Sequence, residues 1–116
     1  MPRAATTSDV FNAIAEPRRR QIIELLAQRG ALPVGVLVVA VGLPQPAVSK
    51  HLGVLREVGL VSGNKSGRRR LYRLNPQQLK TVYEWSKAFE HFWSHQLDRI
   101  KTRAERKARE RTDSST

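Results

Sequence analysis

Between residues 42 and 61, in the stretch GLPQPAVSKHLGVLREVGLV, apolar residues recur at the spacing of one face of an α-helix. Val48, Leu52 and Leu55 lie at positions i, i+4 and i+7, so they form one apolar stripe. Gly42 can adopt the backbone conformation of a sharp turn between helices. Gly59 follows the last apolar position, where a glycine in the left-handed conformation commonly ends a helix. The opposite face is small or polar and contains no acid: Gln45, Pro46, Ser49, Lys50, Gly53 and Arg56, with His51 near the boundary.

This polar face can lie against an anionic, hydrogen-bonding surface, because it carries two cations and several short polar side chains. The major groove of DNA is such a surface, and it is wide enough to admit an α-helix. The alternative interpretation is an ordinary amphipathic helix whose polar face is simply solvated.

Two further helices are predicted before this segment. The first covers Val10–Ala15, with Ser8 or Asp9 as its cap, and follows a loose arm over residues 1–7. Pro17 begins the second, which holds more apolar residues than a surface helix needs and ends at the next glycine. Most of this second helix is therefore expected to be buried.

The segment Leu32–Val41 carries an ambiguous pattern. Its β-branched residues favour a buried strand by propensity alone. Pro33, however, suits the first position of a helix, and the spacing to Pro44 matches a helix-turn-helix unit. We therefore predict a short buried helix here.

After Gly59 the apolar period changes from that of a helix to that of a strand. Leu60–Gly63 and Arg69–Asn75 flank a turn at Asn64–Arg68, which predicts a β-hairpin. The tip and second strand of this hairpin carry four cations and no acid: Lys65, Arg68, Arg69 and Arg70. Such a hairpin resembles a wing that reaches over a nucleic-acid backbone or into a minor groove.

Pro76 opens a long final helix, for which Asn75 is the predicted cap. Apolar residues continue at helical spacing to Ile100, and they include four large aromatic residues: Trp85, Phe89, Phe92 and Trp93. Monomers rarely expose a stripe of this size, so we predict an oligomer interface, with part of the helix packed on the first helices. From Lys101 the helix is polar nearly all round, and residues 112–116 are expected to be disordered.

The chain of 116 residues suffices for one compact domain, and its charge favours a polyanionic partner. There are 21 Lys and Arg residues against 10 Asp and Glu, a formal net charge of +11. Three of these cations, Arg18, Arg19 and Arg20, lie at the N-terminal end of a predicted helix, where cations oppose the helix dipole. Phosphate contact and a solvated cluster are both consistent with that position.

The chain contains no cysteine, which excludes disulfides and thiolate metal sites and fits a cytosolic protein. The N-terminus lacks the apolar core of a signal peptide, and the longest apolar run, Ala31–Leu43, is too short to span a membrane. We therefore expect a cytoplasmic protein without a membrane partner. The sequence has no cysteine nucleophile, paired carboxylates or phosphate-binding glycine loop, so we expect neither an enzyme nor a cofactor.

Three segments, DVFNAIAEPRRRQIIELL, LPQPAVSKHLGVLREVGLV and SGRRRLYRL, resemble the ArsR/SmtB family of bacterial winged helix-turn-helix repressors. The resemblance covers roughly residues 8–100. It implies a mainly α fold with a small β-hairpin and a long C-terminal dimerisation helix. The corresponding domain division is an N-terminal arm at 1–7, the winged domain at 8–100, and a charged extension with a tail at 101–116.

The resemblance also implies a homodimer that places two recognition helices in successive major grooves of a pseudo-palindromic DNA operator. The dimer would be built on the first and last helices, with Phe11 and the four large aromatic residues at its interface. The residues that would then face bases or backbone are Gln45, Ser49, Lys50 and His51, and those of the wing are Arg68, Arg69 and Arg70.

Many relatives in this family release DNA when a metal binds, and here the sequence departs from their pattern. The family's site on the last helix, D-x-H-x10-H-x2-E, corresponds to Val82, Glu84, His95 and Asp98, so its first two ligands are lost or changed. His91 and His95 lie four residues apart and could hold a metal together, but histidines on an aromatic-rich helix more often pack. We therefore expect no metal site, with His91, His95 and Asp98 as weak candidates.

Other kinds of function compete with a sequence-specific repressor. A non-specific architectural DNA- or RNA-binding protein needs only the positive charge, and a metal-responsive repressor would use a site on the last helix. A third alternative is a sensor whose effector is an organic ligand or a protein. Measured preference between DNA sites separates the first alternative from a repressor. A specific binder uses the polar face of the recognition helix to prefer its site by orders of magnitude, whereas a non-specific binder does not.

Overall fold

The computed structural model describes the backbone of residues 7–114 and the side chains of residues 9–111. The elements in chain order are α1 (Thr7–Ile14), α2 (Pro17–Arg29), β1 (Leu32–Pro33), α3 (Val34–Val41), α4 (Gln45–Glu57), β2 (Val61–Ser66), β3 (Arg69–Leu74), a 3₁₀ turn (Pro76–Gln78), α5 (Leu79–Lys87) and α6 (Glu90–Ser114). The chain divides into two compact units, Met1–Val82 and Tyr83–Thr116. No helix among the described residues combines the length and apolar content that a membrane crossing requires.

The core of the first unit consists of aliphatic side chains only. No polar or charged side chain in the described part of the chain is buried, so apolar packing sets the positions of the helices. The buried residues are Val10, Ala13, Ile22, Ile23, Leu26, Leu32, Leu37, Val41, Val48, Leu52, Leu55, Val58, Leu60 and Val61.

The helix-turn-helix formed by α3 and α4 agrees with the sequence prediction. Gly42 ends α3 in the left-handed region, with a φ of 73°. The end of α4 is closed by two hydrogen bonds: the Leu60 N–H donates to the Leu55 carbonyl at 2.9 Å, and the Gly59 N–H donates to the Arg56 carbonyl at 3.1 Å. These two bonds satisfy carbonyls that have no partner within the helix. The turn that they close requires a residue with positive φ, and Gly59 has a φ of 80°.

The residues before α3 form a short strand that the sequence analysis missed. Leu32 lies opposite Tyr72 and Pro33 opposite Leu71, so β1 pairs with β3 in antiparallel fashion. Pro33 therefore occupies the cap position before α3 and not its first helical position, as was predicted. Together with the predicted hairpin, β1 completes a three-stranded sheet in the order β1-β3-β2.

The prediction that α3 is buried is correct for one face only. Leu37 and Val41 face the core, whereas Val39 is 83% exposed. The segment is apolar all round, so its sequence contains no polar stripe that would identify the face turned to solvent.

The hairpin is tighter than predicted. Strand β2 continues through Ser66, which pairs with Arg69, so the loop consists of Gly67 and Arg68 alone. Gly67 has a φ of 64° at the first loop position, as a type II′ turn requires.

Helix α1 begins earlier than predicted. Its first described residue is Thr7, so Ser8 and Asp9 lie inside the helix and do not cap it from outside. The rest of the predicted N-terminal arm, residues 1–6, lies outside the described residues.

The predicted single final helix is divided into parts. The Asn75 side chain does not cap it; its Nδ2 donates to the Gly59 carbonyl at 3.5 Å instead. Between α5 and α6 the bonding shifts from i−4 to i−3, since the Ala88 N–H donates to the Trp85 carbonyl at 3.2 Å.

Helix α6 extends through Ser114, so the prediction of disorder is wrong for residues 112–114. Residues 115 and 116 lie outside the described part of the chain.

Candidate nucleic-acid interface

Helix α4 presents the polar face that its sequence predicted. Val48, Leu52 and Leu55 are at most 1% exposed, which fixes the helix against the core by its apolar stripe. The residues of the opposite face are exposed: Gln45, Pro46, Ser49, Lys50, Gly53 and Arg56. Within the described residues, the side chains of this face form no hydrogen bond or ion pair, so their hydrogen-bonding groups are available to a ligand.

His51 lies at the edge of this face and is turned toward α2. Its side chain is 19% exposed, and its Nε2 lies 4.0 Å from Oε2 of Glu16. The same carboxylate oxygen caps α2 by accepting a hydrogen bond from the Arg19 N–H at 3.0 Å. His51 Nδ1 is buried and has no hydrogen-bond partner among the described atoms. His51 therefore connects the recognition helix to the start of α2, and it is less available for DNA contact than Ser49 or Lys50.

The tip of the hairpin carries the second group of predicted contacts. Lys65, Arg68, Arg69 and Arg70 are all exposed, and Lys65 pairs directly with Arg70 across the two strands. Like charges in directly opposite positions destabilise a sheet. None of these four side chains forms a hydrogen bond or ion pair within residues 9–111, so nothing in that part of the chain offsets their repulsion. An external polyanion would offset it.

Gly63 leaves space for the side chains of Tyr72 and Arg70 on one face of the hairpin. It lies directly opposite Tyr72, and a Cβ at residue 63 would be 3.2 Å from Tyr72 Cε1 and 3.3 Å from Arg70 Cδ. The absence of a side chain therefore lets the tyrosine ring and the arginine stem lie across the edge strand. This contact was not predicted from the sequence, although an isolated glycine in a strand is a known signal of close approach.

The arginines at residues 18–20 have intramolecular partners that the sequence did not predict. Arg19 donates through Nε to the Ala13 carbonyl and through Nη2 to the Asn12 carbonyl at 3.3 Å. Arg20 Nη1 donates to the Ile14 carbonyl at 2.8 Å. These acceptors lie at the C-terminal end of α1, where carbonyls lack intrahelical partners and where positive charge is favourable.

Arg18 binds the end of a different helix. Its Nη1 donates to the Val41 carbonyl, the last residue of α3, at 3.2 Å. The acceptor is 23 residues away in the sequence, so no local signal could have predicted the contact. The three arginines thus donate hydrogen bonds to the C-terminal ends of two helices. These bonds occupy donors that the phosphate-binding role considered from the sequence would need.

The aromatic residues predicted to form an oligomer interface are exposed in the single chain. Trp85, Phe89, Phe92 and Trp93 are between 42% and 65% exposed. The Trp85 and Phe89 rings meet edge to face, with centroids 5.2 Å apart. Phe11, the remaining predicted interface residue, is half-buried in the first unit.

The weak metal-ligand candidates lie on α6 with exposed side chains: His91, His95 and Asp98. The His91 ring contacts the Phe92 ring, with centroids 3.9 Å apart. Within the part of the chain that the structure describes, no three His, Asp or Glu side chains come together in a group that could hold a metal ion.

Comparisons with known proteins point to one family. The family model described as "Bacterial regulatory protein, arsR family" matches residues 16–62, which contain the whole helix-turn-helix. The HTH-type transcriptional regulator Rv2034 of Mycobacterium tuberculosis is 38% identical over 87 residues, covering 75% of this chain and 78% of that protein. The arsenical resistance operon repressor of Escherichia coli is 33% identical over 92 residues, covering 78% of this chain and 75% of the repressor.

A solved structure agrees with the fold. The solution NMR structure of a homodimeric winged helix-turn-helix DNA-binding domain from Mycobacterium bovis, a possible ArsR-family transcriptional regulator, has a TM-score of 0.60 and 32% identity. The match covers 72% of this chain and 79% of that domain.

Proposed function

This chain belongs to the arsR family of bacterial regulatory proteins, and on that basis we propose that it is a homodimeric repressor of a pseudo-palindromic DNA operator. The family consists of DNA-binding regulators of transcription and not of enzymes. The observation that carries the proposal is the acid-free, exposed face of α4, whose polar side chains have no partner among the described residues.

The proposed contacts divide into two kinds. Ser49 and Lys50 project from the middle of α4 and would reach base edges in the major groove, with Gln45 at the helix start. The exposed cations of the hairpin would bind phosphates, which fixes the position of the protein but does not read sequence. His51 and Arg56 are assigned to the margin of the base-reading face.

Homodimerisation is supported by the Mycobacterium bovis neighbour, which is described as homodimeric. Two copies related by a two-fold axis would present two recognition helices to half-sites about one helical turn apart. The exposed aromatic residues of α5 and α6 provide an apolar surface that a second copy would cover.

The test of site preference uses Ser49→Ala combined with Lys50→Ala. We expect this double variant to lose its preference for the operator, because a lysine contact to a guanine edge supplies ~1–3 kcal/mol of discrimination at each half-site. Weak, salt-sensitive binding to any duplex should remain. Competition of an operator, selected by the wild type from random duplexes, against random DNA at fixed salt measures the preference.

The matched control for that experiment is Gln28→Ala combined with Arg29→Ala on α2, where both residues are exposed and one charge is again lost. The control should keep its site preference. A wild-type protein that selects no preferred site from random duplexes would remove the repressor proposal in favour of a non-specific binder.

The test of the dimer uses Trp93→Ala, with Thr102→Ala, an exposed residue on the opposite face of α6, as its control. Truncating a large aromatic anchor at an interface typically costs ~2 kcal/mol or more, so Trp93→Ala should shift the protein toward monomer. Sedimentation equilibrium measures the change. A monomeric wild type at micromolar concentration would contradict the homodimer.

We also propose that operator binding needs no metal, which follows from the altered ligand pattern at Val82 and Glu84. Zinc titration should change operator affinity by less than about threefold, a coupling free energy below ~1 kcal/mol. Release of DNA by micromolar zinc that disappears in His95→Ala would restore the metal-responsive alternative.

A further inference from the structure

The C-terminal half of α6 is a helix without an apolar face. The side chains from Lys101 to Arg111 are all exposed, and the only apolar residues among them are Ala104 and Ala108. At 1.5 Å of rise per residue, the helix from Arg99 to Arg111 is roughly 18 Å long. Since no apolar packing explains this segment, its charges are the feature that needs an explanation.

One side of this segment balances its own charge. Asp98, Lys101, Glu105 and Arg109 follow one another at intervals of three and four residues, so acids and bases alternate along that side. Pairs at these spacings are neighbours on a helix surface and stabilise it. This side is typical of a solvated helix face.

The other side carries cations in series, which we call the basic stripe: Arg99, Arg103, Lys107 and Arg111, each four residues after the last. Like charges at this spacing destabilise a helix. Arg106 lies beside the stripe, and the one acid nearby, Glu110, is four residues after Arg106 and three after Lys107. Arg111 has an interaction of its own. A single carboxylate cannot neutralise the four remaining cations, so the basic stripe keeps a net positive charge.

We propose that the basic stripe binds the phosphate backbone of duplex DNA, in addition to the contacts proposed for α4 and the hairpin. This inference rests on the proposed function. Phosphates supply the sequence-independent negative charge that a series of cations fits. The stripe would therefore add affinity and salt dependence without adding sequence preference.

The composition of the segment favours duplex DNA over other polyanions. Binding to a membrane surface needs an apolar face with residues such as Trp, Phe or Leu, and residues 101–111 have none. Recognition of single-stranded RNA relies on aromatic side chains that stack on bases, which are also absent here. A protein interface would need buried anchors at its centre.

The chain offers a closely matched pair of variants for the test. Arg103→Gln with Lys107→Gln removes one arginine and one lysine from the basic stripe. Lys101→Gln with Arg109→Gln removes the same two residue types from the balanced side, within the same nine residues. Both variants lower the net charge equally, so a difference between them reports position and not charge.

The probes are the duplex selected by the wild-type protein, trimmed to its two half-sites, and the same duplex extended with random sequence at both ends. We expect the wild type to bind the extended duplex more tightly and with a steeper salt dependence. In Arg103→Gln/Lys107→Gln the slope of log K on log salt for the extended duplex should fall by about 1.8 per protomer, for two phosphates lost. The control variant should keep the advantage of the extended duplex, as should Arg103→Lys.

Several results would overturn the inference. Equal losses in the two double variants would show a general charge effect, and no loss in either would show that the stripe does not touch DNA. A stripe variant that keeps the extended-duplex advantage but loses binding to single-stranded RNA, or to vesicles containing phosphatidylserine, would assign the stripe to that partner instead. Failure of the proposed function looks different: the wild type would then show no preference for the trimmed operator over a random duplex of equal length.

Discussion

The tripeptide Arg-Arg-Arg occurs twice in this chain, and the two copies do different things. At residues 18–20 the side chains donate hydrogen bonds to the carbonyls that end α1 and α3. At residues 68–70 they are exposed at the hairpin tip, and within the described residues they have no hydrogen-bond or ion-pair partner. The first copy is hydrogen-bonded to the C-terminal ends of helices in the same chain, and the second is open to an external partner.

A cluster of cations therefore does not by itself indicate where nucleic acid binds. Arginine binds both the carbonyls at the negative end of a helix dipole and phosphate groups, because both present oxygen acceptors with partial or full negative charge. What separates the two copies is whether backbone carbonyls already surround the guanidinium groups. On this basis we propose phosphate contacts for residues 68–70 and a structural role for residues 18–20.

The largest expected effect concerns the exposed copy. Replacing Arg68, Arg69 and Arg70 with Ala should lower the slope of log K on log salt by about 2.7 per protomer, for three phosphate contacts. Surface substitutions of this kind typically change the free energy of unfolding by no more than ~0.5 kcal/mol each. Salt titrations of DNA binding and urea unfolding measure the two quantities. An unchanged slope would remove the wing from the interface.

Substitution in the first arginine cluster should lower the stability of the fold and leave the salt dependence of DNA binding nearly unchanged. In Arg19→Ala with Arg20→Ala, the carbonyls at the end of α1 lose their charged donors, which should cost about 2 kcal/mol of unfolding free energy. The melting temperature should fall by roughly 8 °C. Glu24→Ala, an exposed residue of the same helix, is the control. A reduced salt slope with unchanged stability would show instead that the first copy binds phosphate.

A smaller effect is expected at Gly63, whose missing side chain makes room for the stem of Arg70 in the exposed copy. A valine there would meet Tyr72 and the stem of Arg70, so it should displace both and cost about 1 kcal/mol of stability. DNA affinity should fall together with stability. The chemical shifts of the Tyr72 ring provide the measurement, and unchanged shifts would show that the strand edge accommodates the side chain.

The smallest effect is expected at Gly53, where one substitution should change stability and DNA affinity in opposite directions. Gly53 lies inside α4, and an added Cβ would meet no atom within 4 Å. Alanine should therefore raise the unfolding free energy by ~0.5–1 kcal/mol, since glycine weakens a helix interior. The new methyl group would lie on the base-reading face, so operator affinity should drop. An affinity that rises with stability would place this face away from DNA.

The features that follow local sequence rules were predictable. The stripe of Val48, Leu52 and Leu55 is buried as predicted, and Gly42 and Gly59 end their helices with positive φ as their positions indicated. These outcomes depend on periodicity and on a backbone conformation that glycine alone adopts readily, and both are visible in a short window of sequence.

The features that leave no recognisable signal in the local sequence were not predictable. Strand β1 is two residues long and exists only because β3 lies beside it. The break at Ala88 and Phe89 contains no proline or glycine that would mark it. The partners of Arg18 and Arg20 are backbone carbonyls, which every residue has, so no side-chain pattern signals them.

The arrangement of the aromatic residues gives the protein two independent optical signals. Both tryptophans, Trp85 and Trp93, lie in the second unit with exposed side chains, whereas the core of the first unit contains no aromatic ring. Indole emission shifts to shorter wavelengths when the ring leaves water, so burial of these residues against a second copy would produce a blue shift. At concentrations where the protein is monomeric, unfolding of the aliphatic core would change that emission little and would appear in circular dichroism instead. Assembly and folding can therefore be followed separately in the same cuvette, without a label.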